Sequence, residues 1–287
     1  MKTIDYLTTL GDVYYPSIVA ALAIAILAGI LSIIVVLKRL AFVGQGISHA
    51  AFGGVGLSLA AGAYFGVAVT DQMMDASIIG FSILAALWIA AISKGTKGRA
   101  DTAIGIVLAA SMALGFLFYA YAARNNIAAS PLPSMEGVLF GDILAASWKD
   151  AWTTVVLSVS VLGVVWYFRR PMILWAFDES IAEIYRVSAP QMMRIFMVAL
   201  AIAVVNAVGL SGIVLASAMF VLPGASALWI GSKLRSVFVY SVVCAILGVV
   251  FGFVMGFEFD WAIGPSIVLA QCIIYSICAL TSWIRSR

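Results

Sequence analysis

Apolar segments about as long as a membrane-spanning helix follow one another along almost the whole sequence. An α-helix needs about 20 predominantly apolar residues to cross the hydrocarbon core of a bilayer. Of the 287 residues, 64% are hydrophobic and only 10% are charged, whereas about a quarter of the residues in a soluble domain are charged. We therefore predict an all-α, polytopic integral membrane protein. Residues 1–287 would form a single transmembrane domain, with residues 16–283 as its helical bundle.

The hydropathy pattern predicts eight or nine transmembrane helices. Nine apolar segments lie roughly at residues 16–37, 42–63, 76–93, 101–122, 150–168, 192–208, 210–230, 237–256 and 261–283. The count falls to eight if one segment is re-entrant, because non-helical backbone at membrane depth is tolerated where protein covers it. The boundary between the sixth and seventh segments is the weakest, since only Asn206, Gly209, Ser211 and Gly212 interrupt that run.

The lysines and arginines predict the orientation of the chain. If the N-terminus is extracytoplasmic, three basic residues fall outside, namely Lys2, Arg124 and Lys149. The other thirteen fall inside: Lys38, Arg39, Lys94, Lys97, Arg99, Arg169, Arg170, Arg186, Arg194, Lys233, Arg235, Arg285 and Arg287. Cytoplasmic loops of membrane proteins carry an excess of basic residues. We therefore expect the N-terminus on the extracytoplasmic side.

A polar spot interrupts the second apolar segment. His49 is the only histidine of the chain, and an ionisable residue at membrane depth is costly unless it meets a partner or a water-lined path. Gln45 lies four residues earlier, so a helix would place both side chains on one face. Two uses of His49 fit this position, a ligand on an ion pathway and a hydrogen-bonding residue between helices. For Gln45 the same two uses apply, and its amide is a weak cation ligand.

The segment between the fifth and sixth spans predicts a short amphipathic helix on the cytoplasmic face. Asp178 can cap this helix, and Ile181, Ile184 and Tyr185 fall on one side of it. Residues 188–191 have the spacing of a capping box, with a proline in the first turn, and predict the start of the next helix. The apolar side of the short helix suits either the lipid interface or the surface of a soluble partner.

The sequence contains no phosphate-binding loop of the Gly-x-x-x-x-Gly-Lys-Ser/Thr type, whose backbone amides hold the phosphates of ATP. Any ATP-driven step would therefore depend on another polypeptide. Cys244, Cys272 and Cys278 lie in apolar segments without metal-ligand spacing, which favours a packing role. We expect no permanently bound cofactor and no nucleic-acid partner.

Several blocks of the sequence resemble one transporter family. Residues 42–50 read Phe-Val-Gly-Gln-Gly-Ile-Ser-His-Ala and are similar to the Phe-x-Gly-Asp-x-x-Ser/Ala-His-Ala signature of the zinc/manganese/iron ABC-importer permeases, the ABC-3 type membrane subunits. Further blocks agree in order at residues 101–106, 139–144, 177–178, 208–227 and 263–269. The resemblance covers roughly residues 16–270. It implies a type II-like ABC importer permease in a bacterial-type plasma (inner) membrane.

The resemblance also implies the partners. In this family two permeases form a homodimer in the lipid bilayer, two cytoplasmic ATP-binding-cassette ATPases drive it, and an extracytoplasmic metal-binding protein delivers the ion. Residues 171–191 would then be a cytoplasmic coupling segment that contacts the ATPase. Its apolar contacts would be Ile181, Ile184 and Tyr185, and its orienting charges Asp178, Glu183 and Arg186.

His49 and Gln45 are the metal-pathway residues that the resemblance implies. The family has an aspartate and a histidine four residues apart on the second helix, and both contribute to a metal-binding point. His49 matches the histidine, whereas Gln45 stands where the aspartate usually is. Because manganese and iron(II) sites depend on carboxylates more than zinc sites do, we expect zinc ahead of manganese or iron. Uptake should fall as the pH drops, because a protonated imidazole does not bind metal.

Other candidate residues have two possible roles each. Asp142, Glu258 and Asp260 fall on the outer side, where they could attract cations or contact the delivering protein, or could be solvated loop charges. Pro223 is a hinge candidate, although membrane helices tolerate proline when neighbours satisfy the freed carbonyl. Asp101 opens the fourth span, where capping is favoured over metal binding.

The main rival function is a secondary transporter that couples metal flow to an ion gradient. Such carriers usually have acidic residues at mid-membrane and paired broken helices in two related halves, whereas here the acidic residues lie toward the span ends. An intramembrane enzyme is a weaker rival, because one histidine offers no catalytic constellation. The sequence therefore favours a non-enzymatic permease subunit of an importer for divalent metal ions.

Overall fold

The computed structural model describes residues 11–93, 99–125 and 143–285, which form eleven α-helices and one short 3₁₀ turn and contain no β-strand. The helices in chain order are α1 Gly11–Leu37, α2 Val43–Phe65, α3 Asp71–Ile92, α4 Arg99–Asn125, α5 Trp148–Tyr167, α6 Arg169–Phe177, α7 Glu179–Ile184, α8 Ala189–Met219, α9 Leu222–Ile230, α10 Leu234–Phe259 and α11 Ile263–Arg285. The 3₁₀ turn, Ile143–Ala145, precedes α5. The predicted all-α class is confirmed.

Seven helical stretches in the described ranges are long and apolar enough to cross a membrane. They are α1, α3, α4, α5, α8 together with α9, α10, and α11. This count is slightly below the eight or nine expected, for two reasons. The glycines, serines, Gln45 and His49 of α2 reduce the hydropathy of that helix. In addition, α8 and α9 form one 42-residue stretch, Ala189–Ile230, where the sequence predicts two separate spans.

The α8 helix is interrupted at Gly212, whose φ of 76° and ψ of 172° are not helical. Essentially only glycine adopts this conformation without strain. The helix resumes and ends at Met219, and two residues separate it from α9. Pro223 lies in the first turn of α9, where a missing N–H removes no hydrogen bond. The helix break therefore comes just before Pro223, and a hinge motion at this residue stays a prediction.

Small residues bring α1 close to α9 and α10. A Cβ built on Gly29 of α1 would lie 2.9 Å from the Cα of Val242 in α10, and one built on Gly224 of α9 would lie 2.6 Å from the carbonyl carbon of Ser32. The hydroxyl oxygens of Ser32 and Ser241 are 3.2 Å apart. Close backbone approach and hydroxyl hydrogen bonds replace the hydrophobic effect as the source of helix association in lipid.

Two helix ends on the predicted cytoplasmic side are closed by residues in the left-handed region. Arg39 has a φ of 58° and Arg186 a φ of 59°. After Arg39 the N–H of Leu40 donates to the carbonyl of Val35 at 2.8 Å, and after Arg186 the next N–H donates to a carbonyl of α7 at 2.9 Å. This pattern satisfies carbonyls that a helix end would otherwise leave unpaired. The connections from α1 to α2 and from α7 to α8 are therefore hydrogen-bonded turns.

Candidate metal pathway and docking segment

The α2 helix is enclosed by α3, α4 and α8. Its glycines permit close contact, since a Cβ on Gly54 would lie 2.6 Å from the Cα of Ile78 in α3. A Cβ on Gly44 would lie 3.6 Å from the Cα of Ser217, which belongs to α8. Of the 23 residues of α2, 17 are buried. Exposed side chains in the first turns of this helix therefore mark a side that the described part of the chain leaves open.

The open side at the start of α2 carries Phe42, Gln45 and His49. Phe42 is 61% exposed, Gln45 is exposed and His49 is partly buried. Their spacing of three and then four residues is that of one helix face. The structure thus brings Gln45 and His49 together on the unpacked face, as their spacing predicts. We call these three residues the α2 stripe.

The imidazole of His49 has an unsatisfied nitrogen. Its Nδ1 atom is buried and has no hydrogen-bond partner in the part of the chain that the structure describes. A buried polar atom without a partner costs free energy comparable to a lost hydrogen bond. Of the two sequence-based roles for His49, hydrogen bonding between helices within one chain therefore has no support at this atom. A free ring nitrogen is what metal ligation requires.

The α2 stripe does not continue outward along the helix. Ser48 is buried and its hydroxyl donates to the carbonyl of Gly44 at 2.7 Å. One turn beyond His49, Phe52 is 2% exposed and its ring centroid lies 5.1 Å from that of Phe116 in α4. The polar part of the open side is therefore confined to the first two turns of α2.

A single chain does not complete a metal site in the described residues. Within residues 11–93, 99–125 and 143–285 no group of three or more His, Cys, Asp or Glu side chains could hold a metal ion. His49 and Gln45 would supply one imidazole and one amide oxygen. The described residues of one chain therefore supply only these two side chains of the α2 stripe as candidate ligands.

The structure describes two of the three candidates predicted for the outer side. Asp142 lies outside the described residues. Glu258 lies in the last turn of α10, and Asp260 follows that helix with a φ of 54°. Asp260 therefore has a local role in ending α10. Asp101 is exposed in the first turn of α4, where its charge stabilises the helix N-terminus.

The segment predicted to be cytoplasmic forms two short helices, α6 and α7, ahead of α8. Asp178 caps α7, because its Oδ1 accepts from the backbone N–H of Ser180 at 2.8 Å and of Ile181 at 3.2 Å. The capping-box prediction at residues 188–191 is only half right. Ser188 is the N-cap of α8 and a proline lies in its first turn, but no side-chain capping hydrogen bond forms.

The predicted apolar side of α7 is exposed. Ile184 is 79% exposed, Tyr185 is 71% exposed and Ile181 is 43% exposed. Glu183 and Arg186 are exposed beside them, whereas Ala182 is fully buried against the bundle. The helix thus rests on the protein through one small residue and presents large apolar side chains away from it.

Lys38, which the sequence analysis used only to predict the orientation of the chain, makes two contacts in the structure. Lys38, just after α1, donates from its Nζ to Glu179 Oε1 at 2.6 Å. The same Nζ lies 4.3 Å from the ring centroid of Trp175. These contacts join residues separated by more than 130 positions in the chain, so no local sequence signal could have identified them.

The comparisons with known proteins agree with this architecture. A family model described as "ABC 3 transport family" matches residues 12–282. The manganese transport system membrane protein MntC of Listeria monocytogenes is 28% identical over 268 residues, covering 92% of this chain and 89% of MntC. The manganese import system permease protein ScaB of Streptococcus parasanguinis is 30% identical over 261 residues, covering 91% of this chain and 88% of ScaB.

A solved structure has the same fold over nearly its whole length. One chain of PsaBC from Streptococcus pneumoniae, determined in complex with Fab, is 28% identical and superposes with a TM-score of 0.75, covering 96% of this chain and 94% of that chain. The match to the family model spans almost every described helix. The chain therefore belongs to the ABC 3 transport family and is a multi-pass metal-transport permease of the bacterial plasma membrane.

Proposed function

We propose that this chain is the membrane-spanning subunit of an ATP-binding-cassette importer that passes a divalent transition-metal ion into the cytoplasm. The observation that carries the proposal is His49, whose partly buried imidazole lies on the open side of α2 and whose buried Nδ1 has no hydrogen-bond partner among the described residues. In lipid this arrangement would be costly. On a water-lined ion path an imidazole is a ligand for a transition metal.

The open side of α2 is where we place a second copy of the chain. Gln45 is exposed there beside His49, and an amide facing lipid has no hydrogen-bond partners. A two-fold axis next to this side would bring together two imidazoles and two amides, which can surround one ion. The resulting site would hold metal firmly enough to replace water yet weakly enough to release it.

The energy source in this proposal is a pair of cytoplasmic ATPases that contact α7. The exposed apolar side chains of Ile181, Ile184 and Tyr185 would bind the ATPase, and Asp178, Glu183 and Arg186 would orient it. An extracytoplasmic binding protein would deliver the ion to the opposite end, where Asp142, Glu258 and Asp260 are the candidate contacts. Pro223 would allow α9 to move when the path opens.

Two observations favour different ions. Gln45 in place of a carboxylate favours zinc, because imidazole suits zinc whereas manganese prefers carboxylate oxygens. The names of the relatives MntC and ScaB favour manganese. We keep zinc as the expectation from the chemistry of the site and manganese as the second candidate from the relatives.

The test is metal uptake into proteoliposomes that contain the permease, with and without its ATPase subunits. Zinc, manganese and iron(II) are supplied separately. We expect uptake only with the ATPase and ATP, and we expect His49→Ala to reduce it by about tenfold or more, as the loss of a metal ligand does. Leu57→Ala is the matched control, since Leu57 is also partly exposed on α2 but lies outside the stripe.

Two results would contradict the proposal. Uptake by this polypeptide alone under a proton or sodium gradient would establish the secondary-transporter alternative. Full uptake by the His49→Ala complex would remove His49 from the pathway. Normal uptake by the Leu57→Ala complex would show that truncation of a side chain on α2 does not by itself abolish transport.

A further inference from the structure

Lys38 occupies a junction between four helices. It follows the last residue of α1, its ammonium contacts Glu179 in α7, and it lies over the ring of Trp175 in α6. Trp175 is 1% exposed, and its ring centroid is 6.0 Å from that of Phe196 in α8. The contact therefore reaches from the buried core to α7, which we call the docking segment.

The Lys38 side chain is more enclosed than that of an ordinary surface ion pair. Its exposed fraction is 13%, whereas that of Glu179 is 59%. Exposed ion pairs contribute little to the free energy of folding, because water screens the charges and two flexible side chains must be held in one geometry. Here the Trp175 ring immobilises the lysine and adds a cation–π attraction. Glu179 is the member of the pair that remains accessible from the cytoplasm.

The connection from Lys38 to α2 is short and held by backbone hydrogen bonds. The N–H of Lys38 donates to Ile34 at 2.9 Å, that of Leu40 to Val35 at 2.8 Å, and that of Val43 to Leu40 at 2.9 Å. Leu40 is 2% exposed and Val43 is fully buried. Gln45 begins the polar part of the α2 stripe only seven residues after Lys38. A displacement of Lys38 would therefore be transmitted to α2 with little loss in the connecting turn.

We propose that Lys38 is the positioning residue that couples the docking segment to the metal-binding helix, through its ion pair with Glu179. This inference rests on the proposed function, because it assumes that an ATPase moves α7 and that metal binds at the α2 stripe. When the ATPase displaces α7, Glu179 pulls the lysine at the end of α1, and the turn from Lys38 to Val43 carries the shift into α2. Side-chain networks of this kind transmit coupling when both ends bias one structural element.

The experiment measures ions transported per ATP hydrolysed by the complete complex in proteoliposomes, with zinc and manganese as the probes. The variants are K38M, E179Q and K38R. Arg39→Gln is the matched control, because Arg39 is the adjacent exposed cation and lies outside the ion pair. Co-purification of the ATPase subunits is measured for every variant.

We expect K38M and E179Q to reduce ions per ATP by about threefold to tenfold, the size of effect that mutations in a coupling network produce. ATPase binding should be unchanged. K38R, which keeps the charge and the ring contact, should transport normally, and Arg39→Gln should match the wild type. A merely structural role for Lys38 would lower stability and ATPase binding without changing this ratio.

The inference is overturned if K38M and E179Q keep the wild-type ratio, or if K38R lowers the ratio as much as K38M does. Failure of the proposed function would look different, because the wild-type complex itself would then transport no metal or bind no ATPase. E179Q removes the ion pair without disturbing the packing, since Glu179 is largely exposed and glutamine has nearly the same shape. A loss of coupling in E179Q therefore cannot be attributed to misfolding.

Discussion

Gly56 of α2 and Gly115 of α4 face each other at backbone contact. A Cβ built on Gly56 would lie 2.6 Å from the carbonyl oxygen of Gly115 and 3.1 Å from its Cα. Two glycines at one helix crossing remove both side chains from the interface, so the backbones approach closely. This contact sets how α2, which carries His49, lies against its neighbour.

Gly56→Ala should destabilise the permease, because the new methyl group meets a backbone carbonyl that no side-chain rotation can move. Overpacking of this kind costs about 1 to 3 kcal/mol. The measurement is the thermal unfolding midpoint of the detergent-solubilised protein. Gly163→Ala in α5 is the control, since a Cβ there meets nothing within 4 Å. An unchanged midpoint for Gly56→Ala would contradict the packing described for α2 and α4.

Gly212→Ala should also destabilise the protein, for a reason of backbone conformation. The φ of 76° at this residue is one that a side chain with a Cβ rarely adopts, and such strain costs about 1 to 3 kcal/mol. Gly209 lies three residues earlier, and a Cβ built on it meets nothing within 4 Å. Gly209→Ala should therefore leave the unfolding midpoint unchanged. Equal midpoints for the two variants would mean that the break in α8 is not at Gly212.

Gln45→Asp should shift ion preference toward manganese. The substitution restores a carboxylate one helical turn before His49, and hard divalent cations bind carboxylate oxygens better than amide oxygens. Competition between zinc and manganese uptake in the assembled complex measures the change. Gln72→Asp makes the same substitution at an exposed position in the first turn of α3 and should not alter preference. No shift with Gln45→Asp would remove this residue from the ion path.

Tyr185→Ala should weaken binding of the ATPase subunits by about tenfold or more, as truncation of a large aromatic contact often does at an interface. The side chain is 71% exposed in the isolated chain, so the stability of the permease itself should not change. A titration of the detergent-solubilised permease with ATPase measures the affinity. Equal affinity for the variant and the wild type would move the docking surface away from α7.

Asp178 allows capping to be separated from charge. Asp178→Ala removes the acceptor for the N–H groups of Ser180 and Ile181, and the loss of such a cap costs about 1 kcal/mol. Asp178→Ser keeps a capping oxygen but removes the charge. If α7 must be helical to bind the ATPase, the serine variant should bind more tightly than the alanine variant. Equal loss in both would assign the role of Asp178 to its charge.

Much of the helical architecture could be predicted from local patterns. The predicted cap at Asp178 and the helix start at Ser188 both appear in the structure, because capping and apolar spacing act over one or two turns. The exact number of membrane spans could not be predicted from local patterns. The α2 helix is long enough to span a membrane, but its glycines, serines, Gln45 and His49 make it less apolar than the other spans. Its enclosure by α3, α4 and α8 shields the glycines and serines from lipid.

The sequence by itself determined that this chain is a bundle of membrane helices and that Gln45 and His49 share one face, since hydropathy and helical spacing are local properties. Only the tertiary structure decided which face of α2 stays open, that His49 Nδ1 has no partner among the described residues, and that Lys38 meets Glu179 and Trp175. The physical reason is that burial and long-range contact depend on how helices cross. Those crossings depend on backbone approach at glycines such as Gly56 and Gly115, whose partners lie far away in the chain.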